Sequence, residues 1–225
     1  MNNNPVGILD YPIFAGHESN LVAWYKFDGD FTDSSGNGND LIVGGGTPIF
    51  SNTDYVIGQS ANFLDGNNWV KTNSLNFDDG NWCFALWYKS TNTSATDIDW
   101  ILWQTPNSDD NYGGLYYGGT GTYEFHLKKT STYENQATIT DSSYASDRGN
   151  WVHIVVQQRS DGYIELYRNG VNIATSSDTT ITSDFAGTSL DFGYFLRGTR
   201  DAFGLMDDFR WYDKTLSETE IKQIY

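Results

Sequence analysis

The sequence predicts an all-β fold, a sandwich or a barrel, on three observations. Short apolar runs recur with turn residues between them: Leu41 to Val43, Tyr55 to Ile57, Ala61 to Leu64 and Trp69 to Lys71 are each bounded by Gly, Asn or Asp. Trp82 to Lys89, W-C-F-A-L-W-Y-K, is largely apolar on both alternating faces, as a strand central in its sheet is. Asn169-Gly170 separates Y-I-E-L-Y-R from V-N-I-A, and Asn-Gly is the strongest short hairpin signal because both turn positions need positive φ.

Met1 to Asn20 carries Pro5 and Pro12 and little periodicity, so residues 1–20 read as an extended lead-in or linker, and residues 21–225 as one β domain. Leu21 to Phe27 is a buried-type strand. Of the two faces of Trp82 to Lys89, one should meet the sandwich core and the other line a concave surface. Ser90 to Asn150 is rich in polar turns, with strand-like pieces at Asp99 to Gln104, Gly114 to Tyr117, Tyr123 to Lys128 and Gln136 to Thr140. Trp151 to Gln158, the hairpin over Gly162 to Ala174, Leu190 to Leu196 and Phe203 to Tyr212 complete the strands. Ser217 followed by Glu220 is a capping box, which places a short helix from Glu218 to the end. Aromatic residues are 16% of the chain, enough bulk for an extensive core with rings left over for the surface.

Net charge of -16 argues against nucleic acid, heparin-like chains and anionic membranes, each of which the chain would repel. The same acidity fits cations and neutral glycans, and serves equally as a solubility device. Cys83 is the only cysteine, so no intramolecular disulfide forms, and its apolar strand makes it a buried thiol. The N-terminus has no basic n-region with a long apolar core, and no apolar run reaches membrane-spanning length. The expectation is a soluble chain, either cut from a larger secreted or surface protein or assembled inside a cell. His17, His126 and His153 are the only histidines and none stands at metal-ligand spacing to another; His153 reads as a packed core residue.

Two stretches carry candidate chemistry. Asp28 to Asp40, D-G-D-F-T-D-S-S-G-N-G-N-D, offers many oxygens in a flexible loop, which suits Ca²⁺, and it is equally ordinary turn chemistry with Asx turns and glycines. No EF-hand spacing occurs in it. Trp100, Trp103, Tyr112, Tyr116, Tyr117, Tyr133 and Tyr144 lie among Asp, Asn, Gly and Thr, a mixture that stacks on sugar rings and bonds to hydroxyls, or that covers the core of an all-β fold.

Taken in order, L-V-A-W-Y-K-F-D-G with D-S-S-G-N-G-N-D, W-C-F-A-L-W-Y-K, N-W-V-H-I-V-V, I-E-L-Y-R-N-G-V and G-L-M-D-D-F-R-W-Y-D-K-T-L-S-E-T-E-I resemble the laminin-G-like, concanavalin A-like lectin/glucanase superfamily from about Leu21 to Tyr225. The resemblance implies a jelly-roll β-sandwich of two curved antiparallel sheets with a short C-terminal helix. It also implies a structural Ca²⁺ bound by Asp207, with Asp28, Asp33 and Asn39 as its early partners.

The superfamily holds lectin-like modules and hydrolases, so catalysis has to come from the site. Retaining glucanases on this scaffold need two carboxylates roughly 5 Å apart, commonly as E-x-D-x-x-E. The nearest match, Asp97-Ile98-Asp99, has Ile101 and Leu102 where the second glutamate would fall. The Gln-x-His of alginate-lyase relatives, a Ser-His-Asp arrangement, a phosphate-cradling loop and a zinc pattern are all missing. The resemblance therefore implies a non-catalytic carbohydrate-binding or adhesion module. Its rim loops would hold a neutral glycan through Asp110, Asn111, Tyr112, Tyr116, Tyr117, Tyr133 and Arg200, in an extracellular, cell-surface or virion setting. The alternative is a structural or protein-binding module of a fibre, cell wall or virion, which a broad apolar patch would favour.

Overall fold

The computed structural model describes residues 18–63, 68–77, 80–92, 98–104, 112–118, 121–128, 136–141, 145–177, 188–193 and 204–225. Strands in chain order are β1 (Leu21–Tyr25), β2 (Ile42–Gly45), β3 (Ile49–Ser51), β4 (Ser60–Asn62), β5 (Trp69–Thr72), β6 (Trp82–Ser90), β7 (Asp99–Gln104) and β8 (Tyr112–Gly118). They continue as β9 (Thr122–Lys128), β10 (Gln136–Asp141), β11 (Val152–Gln158), β12 (Ile164–Arg168), β13 (Val171–Thr175), β14 (Leu190–Phe192) and β15 (Gly204–Tyr212), and α1 (Glu218–Gln223) follows.

Two antiparallel sheets form a jelly-roll sandwich. One runs β13-β12-β11-β6-β15-β4-β3, with β1 also paired to β15; the other runs β10-β9-β8-β7-β14-β5-β2. Their inner faces meet through large rings: Phe209 of the first sheet meets Phe192 of the second edge to face, with centroids 4.9 Å apart. Truncating such a buried ring to Ala costs about 3–5 kcal/mol.

β6 is apolar on both faces, but its second face does not line a concave surface. Cys83 and Ala85 lie with Val155, Tyr167 and Tyr212 under Leu216, Ile221 and Ile224, so the C-terminal helix closes that side of the sheet. The capping box predicted for this helix is present: Ser217 Oγ accepts from Glu220 N, and Glu220 accepts from Ser217 N. Hydrogen bonds from Ser217 and Lys214 outweigh burial and pull the Glu220 carboxyl down to about 2. The Asn169-Gly170 turn joins β12 to β13 with φ of 49° and 74°.

The run Tyr55 to Ile57 is not a strand. It is a loop between β3 and β4, because the N–H groups of Val56 and Ile57 turn to the Asp207 carboxylate instead of a neighbouring strand. The lead-in up to His17 and the runs reaching Leu64 and Leu196 extend beyond the described residues.

Candidate functional site

Two places on the sandwich gather candidate functional side chains. The first lies where β15 changes partner. Leu205 and Met206 pair with β4, whereas Phe209 to Tyr212 pair with β1, and a bulge interrupts the register between Asp207 and Arg210. Asp207 sits at that break, fully buried. Its Oδ2 accepts from Val56 N at 2.8 Å and Ile57 N at 3.0 Å, while its buried Oδ1 takes no hydrogen bond from the described residues. Burial, with repulsion from Asp208 and Asp28, pushes the Asp207 carboxyl well up despite those two hydrogen bonds.

Asp28 faces the same junction. Its Oδ1 accepts from Gln59 N at 2.7 Å and packs on Gly58, where a Cβ would come within 1.8 Å of that oxygen. Phe27 and Asp208, the chain neighbours of the two carboxylates, hold φ of 60° and 49°. Non-glycine residues in this region store strain of roughly 1–3 kcal/mol, which packing must sustain, and such strain gathers at functional sites. Two mutually repelling carboxylates, one with a buried oxygen lacking a donor, are a donor set that fits Ca²⁺. Among the described residues no three acidic, His or Cys side chains converge, so the rest of a shell falls to backbone carbonyls and water.

The other two predicted metal ligands serve the turn. Asp33 Oδ1 accepts from Trp24 N and Ser35 N, both at 2.9 Å, and Oδ2 from Ser35 Oγ at 2.8 Å and Asn39 N at 3.0 Å. Burial raises its carboxyl, but these donors outweigh burial and hold it below the usual range. Asn39 Nδ2 donates to Val22 O at 2.8 Å, and the Asn39 main-chain carbonyl accepts from Tyr25 Oη at 2.6 Å. With its lone pairs occupied, Asp33 pins the loop to β1.

The second place is the outer face of the seven-stranded sheet. Ladder register sets Ile42, Lys71, Asp191, Trp103, Gly114, His126 and Thr138 in one row across it. A bulge in β7 between Trp100 and Leu102 turns Ile101 and Leu102 both into the core and leaves Trp100 and Trp103 both on the outer face. Their rings meet edge to face at 4.8 Å; Trp100 also meets Tyr116 at 4.6 Å, and Trp103 stacks on Tyr112 at 4.8 Å. Gly114 makes room for this, since a Cβ there would stand 2.8 Å from the Trp103 ring.

Beside the rings, Glu124 Oε2 accepts from the Tyr116 hydroxyl and, at 3.1 Å, from His126 Nε2. An ionised carboxylate only accepts, so Nε2 carries the proton. Burial raises the Glu124 carboxyl, yet the bonds from His126 and Tyr116 outweigh it and hold it below the usual range. Farther along, burial lifts the Asp191 carboxyl to about 6 against the pull of Ser189 and Lys71.

Tyr112 and Tyr116 thus stand on a strand face rather than on a rim loop. Tyr117 is corrected: alternation along β8 points it the other way, into the core, where it is 1% exposed and meets Tyr123 at 4.8 Å. Asp110, Asn111, Tyr133, Arg200 and Asp97 lie outside the described residues. Asp99 is 1% exposed, bonded by Ser90 Oγ at 2.5 Å and Asn92 Nδ2 at 3.0 Å, and so held inside the fold. Glu124 on β9 and Asp191 on β14 are three strand spacings apart, roughly 14 Å, beyond the reach of a glycosidase carboxylate pair. Glu124, His126 and Asp191 join the candidates on this face without having been singled out in the sequence, although Glu124 and His126 two apart on one strand must share a face.

Solved structures share this architecture. Domain 4 of AbnA, a GH43 extracellular arabinanase from Geobacillus stearothermophilus, solved in complex with arabinotriose, is 20% identical with a TM-score of 0.73, over 91% of this chain and 98% of that one. The binding domain of Paraclostridial Mosquitocidal Protein 1 is 18% identical with a TM-score of 0.72, over 92% of this chain and 52% of that one. The botulinum neurotoxin type G receptor binding domain is 16% identical with a TM-score of 0.69, over 91% of this chain and 50% of that one. This chain therefore spans about half the length of the toxin domains. At these identities the likeness is one of fold. No curated protein sequence matches the chain. Residues 64–222 match the model of the laminin G type described as the Concanavalin A-like lectin/glucanases superfamily, and the chain belongs to that superfamily.

Proposed function

We propose that the chain is a non-catalytic, calcium-stabilised carbohydrate-binding and adhesion module of an extracellular, cell-surface or virion protein. The observation that carries the reading is the outer face of the seven-stranded sheet. There the indoles of Trp100 and Trp103 form a floor, and the half-buried Tyr112, Tyr116, Glu124 and His126 present rings and polar atoms together. Rings that stack and polar groups that bond are what a sugar needs, and the acidic chain favours a glycan without acidic groups. Asp28 and Asp207 are the side chains that would hold a calcium ion, which would supply positive charge beside them and so secure the β15 junction. The arabinotriose complex of the AbnA domain supports a sugar ligand for a module of this shape.

A second reading has its own observation. Ile42 and Val43 on β2 and Ile49 on β3 are 53%, 50% and 53% exposed, at the ends of the two sheets. Exposed apolar strand edges suit a protein partner.

A glycan array probed with the wild-type chain and with Tyr112→Ala separates the readings. Array hits that weaken about tenfold in the folded variant, a loss of about 1.4 kcal/mol, are expected. An array without hits, from protein shown to be folded, would overturn the glycan reading.

A further inference from the structure

We infer that Glu124 is the anchor for an ammonium group on this face, so that the ligand is an amino-sugar glycan with unsubstituted amines. The inference rests on the glycan reading above and narrows its ligand.

Both donors to Glu124 converge on one oxygen. Tyr116 Oη and His126 Nε2 bond to Oε2, and Oε1 accepts from none of the described residues. The carboxylate is fixed in orientation and keeps one open acceptor, with its side chain 21% exposed. Its ion-pair partner among the described residues is a histidine, His126, on Oε2; no Lys or Arg among them pairs with it, and its two bonds keep it ionised. An open, oriented, half-buried carboxylate calls for a donor, and a cationic donor makes a bond about twice as strong as a neutral one.

The other end of the same face shows the complete grouping. Lys71 Nζ stands 5.6 Å above the Trp69 ring, and its charge acts on the neighbouring Asp191 carboxylate. Ring, carboxylate and ammonium are all present there. Around Glu124 the ring and the carboxylate recur, with Tyr116 bonded to the carboxylate and stacked on His126 at 5.2 Å, and the ammonium is what an incoming ligand would bring. Aromatic faces attract cations, and a net charge of -16 raises the local concentration of cationic chains. A sugar ring attached to the ammonium finds Tyr112 as its stacking surface.

The test is isothermal titration at mildly acidic pH with a chitosan oligomer and its fully N-acetylated counterpart of equal length. Acetylation removes the positive charge and keeps the ring. The free-amine oligomer is expected to bind at least tenfold tighter and to weaken as salt rises. Glu124→Gln should level the two oligomers, and Tyr116→Phe, which removes one pin on the carboxylate, should narrow their difference if the first variant folds poorly. Equal binding of both oligomers by the wild type, or a preference that survives Glu124→Gln, would overturn the inference. An oligolysine that binds as tightly, with Tyr112→Ala having no effect on either cation, would overturn it in favour of a basic protein segment. If other uncharged glycans bind in a Tyr112-dependent way while the amine preference fails, the inference falls and the glycan reading stands; if no glycan binds, both fall.

Discussion

Trp100 and Trp103 are three residues apart on one strand, yet they share a face and meet edge to face with ring centroids 4.8 Å apart. Strict alternation would put them on opposite sides of the sheet. The extra residue of the β7 bulge brings them together, and Gly114 on β8 leaves the space the Trp103 ring fills. Gly114→Ala sets a methyl 2.8 Å from that ring and 3.0 Å from Leu102 O, neither free to yield. A loss on the order of 1–3 kcal/mol in urea unfolding is expected, with weakened glycan binding. Unchanged stability would mean that the indole is not held flat over β8.

Calcium should act through Asp207 and not through Asp33. A metal that binds only the folded chain adds about 2.7 kcal/mol at a hundred times its Kd, so the melting point in calcium should exceed that in EDTA. Asp207→Asn should abolish the difference. Asp33→Asn should lower both melting points together and leave their difference intact, because Asp33 holds four donors of the loop and its bridge to β1.

His153 gives the fold an acid-sensitive point. Burial and the charge of Arg210 push its imidazole down to about 3, and its Nδ1 has no partner among the described residues. The unfolded chain takes up that proton near 6.5, the folded chain only near 3, so the stability this residue confers above 6.5 is lost as pH falls between those values. His153→Leu should flatten the pH dependence of stability between about 6.5 and 3. An unaltered slope would place the acid sensitivity elsewhere.

Asp191 has the opposite sign. Its folded value near 6 lies above the ordinary carboxylate value, so the stability it confers is present below about 4 and is lost as pH rises to 6. Asp191→Asn should therefore be more stable than the wild type at neutral pH, by on the order of 2 kcal/mol, with no such gain below pH 4. Chemical denaturation at the two pH values reads this directly.

Local rules carried most of the fold. Asn169-Gly170, the Ser217 and Glu220 capping box and the two-faced apolar β6 each depend on neighbours in sequence, and each stands where its chemistry puts it. The meaning of a motif in space was harder to read. Tyr55 to Ile57 looks like a strand until Asp207, some 150 positions away, takes its N–H groups. The oxygen-rich loop gives no sign that Asp33 is saturated by its own turn while Asp28 faces Asp207. The outer second face of β6 is covered by a helix that follows it by more than a hundred residues. Bulges at β7 and β15 leave no composition signal, and both candidate sites depend on them.

The most direct test of the account is where a glycan lands. Backbone amide shifts of the isotope-labelled chain, followed by NMR as an array-positive oligosaccharide is added, should move most in β8 and β9, over Tyr112 to Gly118 and Thr122 to Lys128. Shifts confined to the Asp28 to Asp40 loop or to the eight-stranded sheet would contradict a sugar site on the outer face of the seven-stranded sheet.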